Sequence, residues 1–100
     1  LSTRSSKIYT VMGMIDSKDF ADCVKLIAPH SDKLFAVDDF APNAVPAETM
    51  NEVAVFYTET AESTLAEAVA EAKRLALEND GLVVICGSLY LASKYLNMEK

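Results

Sequence analysis

The chain has 100 residues, of which 51% are hydrophobic and 24% are charged, with only three glycines and three prolines. These proportions are typical of a single folded globular domain and exclude a disordered or low-complexity chain. The formal net charge is -6, and no cluster of basic residues is longer than Lys73-Arg74. Nucleic acid is therefore not an expected partner, because binding to a phosphate backbone needs concentrated positive charge.

The sequence also argues against membrane and metal partners. The longest apolar runs are about half of the roughly 18 residues that span a bilayer, and residues 1–7 lack the apolar centre of a signal peptide. Cys23 and Cys86 have no CxxC spacing or nearby histidine, which favours buried, reduced thiols over a disulfide or a metal site. We expect a soluble, cytoplasmic domain without a membrane partner.

The first predicted elements are a strand and a helix. Residues 7–12 combine β-branched and aromatic residues and stop at Gly13, which predicts a strand. Residues 15–30 show apolar side chains at helical spacing, and Asp16 or Ser17 can cap the first turn. A strand followed by a loop and a helix is the repeating unit of an α/β fold.

The pattern then repeats. Residues 33–37 predict a second strand, residues 38–46 a loop, and a helix begins at about Ala47. The end of this helix stays open, because residues 53–58 also fit a short strand.

The last third of the chain predicts a long helix, a buried strand and a final helix. Apolar residues at helical spacing place the long helix at about 62–78, and Asn79-Asp80-Gly81 ends it. Residues 82–86 are continuously apolar, as in a parallel strand covered on both faces, and residues 88–96 return to helical spacing. The sequence thus predicts one α/β domain over residues 1–100, with a Rossmann-like, mostly parallel sheet flanked by helices.

Three predicted loops leave the carboxyl ends of strands: residues 13–18, 38–46 and 87–88. Because crossovers between parallel strands are right-handed, these loops meet at one edge of the sheet. Ligands of open α/β sheets bind at that edge. We refer to this edge as the rim, and the candidate site lies there.

Two rim residues suit an anionic ligand. At Gly87-Ser88, the glycine allows close approach and the serine presents a hydroxyl at a helix start, although a capped structural turn explains the same pair. Lys18 falls in the first turn of its helix, where a cation is unfavourable. Asp16 and Asp19 can neutralise it, or it can face a ligand together with Ser88.

Asp38-Asp39 follows the second strand and raises an alternative. An acidic pair at a strand end suggests a Mg²⁺ site or a phospho-acceptor, as in receiver domains. Receivers place their acidic pair after the first strand and a lysine after the last, whereas the last strand here ends in Cys86-Gly87-Ser88. We therefore interpret Asp38-Asp39 as part of a solvated loop and keep a non-catalytic, receiver-like binding module only as an alternative.

The segments VMGMIDSKDF (11–20), APNAVPAE (41–48) and ESTLAEAVAEAKRLALENDGLVVICGSLYLAS (62–93) resemble the C-terminal domain of folylpolyglutamate synthases, members of the Mur ligase family. The likeness covers most of residues 7–96. GSLYLAS (87–93) is its most specific element, and GMIDSKD (13–19) is similar to the family's Gly-Met-Leu-x-Asp-Lys-Asp.

The resemblance implies an ATP-dependent ligase that joins L-glutamate to folate or folylpolyglutamate through an acyl phosphate. This domain would position glutamate, with Ser88 at one carboxylate and Lys18 as a counter-charge. ATP and Mg²⁺ would bind mainly outside this chain, and reduced folate would be the second substrate. A Mur ligase of peptidoglycan synthesis is the alternative within the superfamily.

Two departures from the family pattern stand out. The Asp-Gly-Ala-His-Asn-Pro strand and its helix are absent, so we interpret the chain as a domain truncated at its N-terminal strand and helix, most of a C-terminal domain and inactive alone. Asn43 stands where the family's proline loop has an arginine. Loss of an edge strand uncovers apolar surface, so we expect a dimer of the fragment.

Overall fold

The structure is a computed structural model, and it describes residues 7–15 and 20–87. Its strands are β1 (Ile8–Gly13), β2 (Lys33–Ala36), β3 (Glu59–Glu62) and β4 (Leu82–Gly87). Its helices are α1 (Phe20–Ile27), α2 (Ala47–Ala54) and α3 (Leu65–Asn79), and a 3-10 turn (Ala28–His30) follows α1. The predicted final helix at 88–96 lies outside the described residues.

The four strands form one sheet in the order β3-β2-β1-β4, and every neighbouring pair is parallel. The chain steps outward from β1 to β2 and β3, and then crosses back to place β4 on the other side of β1. Right-handed crossovers put helices on opposite faces when the direction of travel reverses. This arrangement confirms the predicted Rossmann-like α/β fold.

Two hydrophobic layers hold the helices to the sheet. Residues of β1 alternate between the layers, with Tyr9 and Val11 on one face and Met12 on the other, as side chains of a strand must. The α3 layer contains Tyr9, Val11, Phe35, Val37, Phe40, Leu65, Ala68, Val69 and Ala72. The α1–α2 layer contains Met12, Val24, Ala28, Leu34, Ala36, Val45, Ala47, Met50 and Ala54.

One strand lies where the sequence did not place it. Residues 53–58 are not a strand, because the backbone N–H groups of Val55 and Thr58 bond back to the carbonyls of Asn51 and Ala54, at 2.9 and 3.1 Å, in a turn after α2. The third strand is instead β3, in register with β2.

The long helix begins three residues later than predicted, at Leu65. Thr64 Oγ1 accepts from the Glu67 N–H at 3.2 Å, and Glu67 Oε1 accepts from the Thr64 N–H at 3.3 Å. This reciprocal pair is a capping box, which fixes the start of a helix. The predicted end is confirmed, because α3 stops at Asn79 and Asp80 adopts a left-handed conformation with φ 54°.

Among the described residues, no helix is long and apolar enough to cross a membrane.

Candidate substrate-binding site

The carboxyl ends of β1 and β4 lie side by side at the rim of the sheet, and we refer to this part of the rim as the seam. The strand order β3-β2-β1-β4 reverses between these two strands, and such a switch point is where open α/β sheets bind ligands. The register pairs Gly13 with Gly87, so both strands end together on a residue without a side chain. The topology therefore places the candidate site at the loops that follow Gly13 and Gly87.

Packing explains why Gly13 has no side chain. A Cβ atom there would overlap the ring of Phe40 and lie 3.1 Å from Cγ2 of Val37. Phe40 is buried, so its ring has little freedom to retreat. Gly13 thus lets the loop after β2 close over the end of β1.

The loops after β1 and β2 are also joined by backbone contacts. The Val45 N–H donates to the Met14 carbonyl at 2.7 Å, and Ile15 forms an antiparallel bridge with Ala44. At the strand ends, the Val37 N–H donates to the Met12 carbonyl at 3.0 Å. The structure therefore brings the beginning of the 13–18 loop against the end of the 38–46 loop, and the register places Gly87, where the third predicted rim loop begins, beside Gly13.

Asp38 and Asp39 serve as helix caps. Asp38 Oδ2 accepts from the Ala47 N–H at the start of α2, and Asp39 Oδ1 accepts from the Leu65 N–H at the start of α3, both at 2.8 Å. Carboxylates at helix N-termini satisfy unpaired N–H groups and oppose the positive end of the helix dipole. Both side chains thus have a structural role that their sequence context did not reveal, and this argues against the receiver-like alternative.

The two residues predicted to bind glutamate lie outside the described residues. Ser88 follows Gly87 directly in the sequence, and Lys18 falls between Ile15 and Phe20. The strands that precede them in the sequence end at Gly13 and Gly87, and these two residues are paired in the sheet. That Ser88 and Lys18 contact one ligand stays a prediction. Asn43, where the family has an arginine, is exposed in the loop after β2.

An apolar cavity of about 200 Å³ lies beneath the seam on the α1 side. Its walls are Met12 and Met14 of the first strand and its loop, Cys23, Leu26 and Ile27 of α1, and Cys86 of β4. Burial raises the pKa of the Cys86 thiol to about 11, and the neighbouring Cys23 adds to the effect. Cys86 therefore stays protonated near neutral pH and is not an activated nucleophile.

Both cysteines are free in the structure and half-buried. Within residues 7–15 and 20–87, no group of three His, Cys, Asp or Glu side chains is arranged to hold a metal ion. The described part of the seam thus offers backbone and apolar surface, and any charged contacts to a ligand must come from elsewhere.

Comparison with known proteins identifies the family. The family model described as "Mur ligase, glutamate ligase domain" matches residues 1–89. The chain belongs to this family. This confirms the resemblance inferred from GMIDSKD and GSLYLAS.

Solved structures agree with this glutamate ligase domain in fold. A Mycobacterium tuberculosis folylpolyglutamate synthase complexed with ADP and AMPPCP superimposes with a TM-score of 0.77 at 20% identity, over 92% of this chain and 23% of that one. A structure of the M. tuberculosis enzyme complexed with ADP gives a TM-score of 0.65 at 19% identity, over 90% and 23%. None of the curated proteins matches the chain. The glutamate ligase domain thus spans about a quarter of the length of the solved chains that it matches.

Proposed function

We propose that this glutamate ligase domain is part of an ATP-dependent ligase that adds L-glutamate to folate or folylpolyglutamate, and that it positions the glutamate. The observation that carries the proposal is the seam, where Gly13 and Gly87 end neighbouring strands in register. The sequence places Lys18 in the loop after Gly13 and Ser88 directly after Gly87. The GSLYLAS and GMIDSKD motifs and the folylpolyglutamate synthase fold support the choice of folate as substrate.

The proposed chemistry needs a bound carboxylate and a free amine. Ser88 donates a hydrogen bond to a carboxylate of glutamate, and Lys18 supplies the counter-charge. The amine of glutamate is then held close to an acyl phosphate formed by ATP on the folate tail. The contribution of this domain is positioning, which lowers the entropic cost of bringing two reactants together.

ATP and Mg²⁺ are proposed to bind mainly outside this chain. The sequence has no Gly-x-x-x-x-Gly-Lys phosphate loop, and the described residues do not form a metal cluster. The domain alone is therefore expected to lack activity, and ATP hydrolysis by the isolated chain with folate and glutamate would contradict this. We also propose a cytoplasmic location, which the two free cysteines support.

The first prediction concerns Ser88→Ala and Lys18→Ala in the complete enzyme. Loss of a charge-assisted contact weakens glutamate binding, and we expect the KM for glutamate to rise roughly tenfold to a hundredfold, with a smaller change for ATP. Steady-state kinetics with glutamate and ATP varied in turn gives both constants. Lys25→Ala is the control, because Lys25 is an exposed cation in the last turn of α1.

Thermal unfolding must accompany the kinetics, because Ser88→Ala can also remove a helix cap worth about 1 kcal/mol. If the KM for glutamate stays within about a factor of two of the parent value for both variants, well below the expected loss of a charged contact, the glutamate site is elsewhere. Assays of the complete enzyme with a folate and with a peptidoglycan precursor separate the two ligase classes.

We further propose that the isolated domain forms a dimer through β4. Within the described residues, β4 has a partner only on its β1 side. Leu82 and Val84 are 54% and 37% exposed. An uncharged, partly exposed edge strand is a template for pairing with another strand.

A further inference from the structure

A groove between α2 and β3 lies at the edge of the sheet farthest from β4. Its volume is about 430 Å³, within the range of roughly 300 to 1,000 Å³ typical of ligand sites. Glu48, Asn51 and Glu52 of α2 line one side, and Thr60 and Glu62 of β3 line the other. The groove takes no part in the seam between β1 and β4.

The groove carries negative charge that no cation in the described part of the chain pairs with. Glu48, Glu52 and Glu62 are exposed, and none of them forms an ion pair with another described residue. Three carboxylates around one concave surface create a negative potential that attracts cations. A partner with complementary charge would therefore be basic.

One acceptor beneath the groove lacks a donor. Oδ1 of Asn51 is buried and has no hydrogen-bond partner within the described part of the chain. A buried acceptor without a partner destabilises the free protein, and native structures contain few of them. Because this oxygen is shielded from solvent, a side chain that enters the groove cannot reach it, and the carboxylates are the acceptors that the groove offers.

The adjacent strand edge is open. β3 pairs with β2 on its inner side, and no described strand covers its outer side. Such an edge accepts an added strand through main-chain hydrogen bonds. Apolar surface lies next to it, because Val55 lines the groove at 59% exposure and Phe56 is 82% exposed.

Protection against aggregation explains only part of this acidic surface. Charges on an edge strand prevent pairing with a copy of the same edge, which accounts for Glu59 and Glu62. Glu59 is already paired with Lys33 at 3.5 Å. Edge protection does not account for the carboxylates of α2, and these point to an occupant.

We propose that the β3 edge and its groove bind an extended, basic segment of a separate polypeptide. The segment adds to the sheet next to β3. One lysine or arginine enters the groove and pairs with the exposed carboxylates of Glu48, Glu52 and Glu62. Side chains of a strand alternate between faces, so a segment with alternating basic and apolar residues fits both the groove and the apolar surface beside it.

The test measures binding of labelled peptides to the intact protein by fluorescence anisotropy. The probe is an acetylated octapeptide of alternating lysine and valine, and we expect saturable binding that weakens as salt is added. One control alternates glutamate and valine. The other keeps the lysine–valine sequence but carries methyl groups on alternate backbone nitrogens, so it cannot complete the strand pairing. We expect neither control to bind.

Variants locate the site. We expect Glu52→Gln and Glu62→Gln each to raise the Kd of the lysine–valine peptide roughly threefold. Glu78→Gln is the matched control, because Glu78 is an exposed carboxylate on α3 on the other face of the sheet.

Three results would overturn the proposal. They are equal binding of the methylated and unmethylated peptides, an equal effect of Glu78→Gln and Glu62→Gln, and absence of binding by the lysine–valine peptide. A peptide of residues 1–7, which contains Arg4 and Lys7, is the last arm of the test. If it binds more tightly than the lysine–valine peptide, the groove takes this protein's own basic segment and not a separate partner.

Discussion

At the scale of single residues, burial of Cys86 at the seam makes the free energy of unfolding depend on pH. Its thiol has a pKa raised from 9.0 to about 11, mainly because burial disfavours the thiolate. Above about pH 9 the unfolded thiol loses its proton while the folded thiol keeps it, so the unfolded state binds fewer protons. The stability from the protonated thiol is therefore complete below pH 9 and is lost as pH rises through 11.

We expect the free energy of unfolding to fall more steeply between about pH 9 and 11 in the parent protein than in Cys86→Ala. The difference between the two falls should reach at most about 3 kcal/mol. Urea unfolding at several pH values gives both curves. All other titratable groups are common to both proteins, so the difference reports on the Cys86 thiol and its contact with Cys23. If the free energy of unfolding falls equally steeply with pH in both proteins, the folded thiol is accessible to solvent.

Single residues also mark the limit of what the sequence predicts about the site. The rim position of Gly13 and Gly87 follows from strand ends alone, and the register confirms it. The caps made by Asp38 and Asp39 could not be predicted, because their partners lie 9 and 26 residues away. The contact of Phe40 with Gly13 also depends on a loop that folds back over the sheet.

At the scale of elements, Asp38 and Asp39 stabilise one helix each. We expect Asp38→Ala to weaken α2 and Asp39→Ala to weaken α3, each lowering the free energy of unfolding by about 0.5 to 2 kcal/mol, as other lost N-caps do. Urea unfolding measures the total loss. Hydrogen exchange assigns it, because protection should fall first in the helix whose cap is removed.

The control is Asp22→Ala, which removes an exposed carboxylate from the first turn of α1. This substitution should lower the free energy of unfolding less than the loss of either cap does, because an exposed charge near a helix terminus contributes only about 0.3 to 1 kcal/mol. Losses at Asp38 and Asp39 no larger than at Asp22 would show that the caps contribute little. A stable acyl phosphate on either residue after treatment with Mg²⁺ and a small phosphodonor would favour the receiver-like alternative.

The elements that the sequence predicted well are those with strong periodicity. β1, α3 and β4 combine apolar spacing with clear end residues. The Thr64–Glu67 capping box, which fixes the start of α3, was overlooked in the sequence, so the predicted start at about residue 62 is wrong by three residues. β3 was missed because its sequence, ETAE, is short and charged, and only pairing with β2 makes it a strand. The preceding Val55, Phe56 and Tyr57 have higher β propensity but lie exposed in a turn, since tertiary context overrides propensity.

At the scale of the whole molecule, the two sheet edges differ in chemistry. The β4 edge is apolar and the β3 edge is acidic, so we expect self-association only through β4. Sedimentation velocity of the 100-residue chain should show a concentration-dependent dimer. Val84→Lys should shift the population to monomer, because the pairing of two edges would then bring like charges together.

Glu62→Lys on the β3 edge is the matched control and should leave the dimer intact. A monomer at the highest attainable concentration would contradict the proposed β4 interface. So would an equal loss of dimer in the two variants, because self-association would then depend on charge and not on one edge.

The two caps after β2 also determine how the domain can move. Asp38 holds the first turn of α2 on one face of the sheet, and Asp39 holds the first turn of α3 on the other. Because the two residues are adjacent in the chain, a displacement of this short segment of backbone alters both hydrogen bonds and affects the starts of both helices. A conformational change that moves the loop after β2 would therefore reach the helix layers on both faces of the sheet.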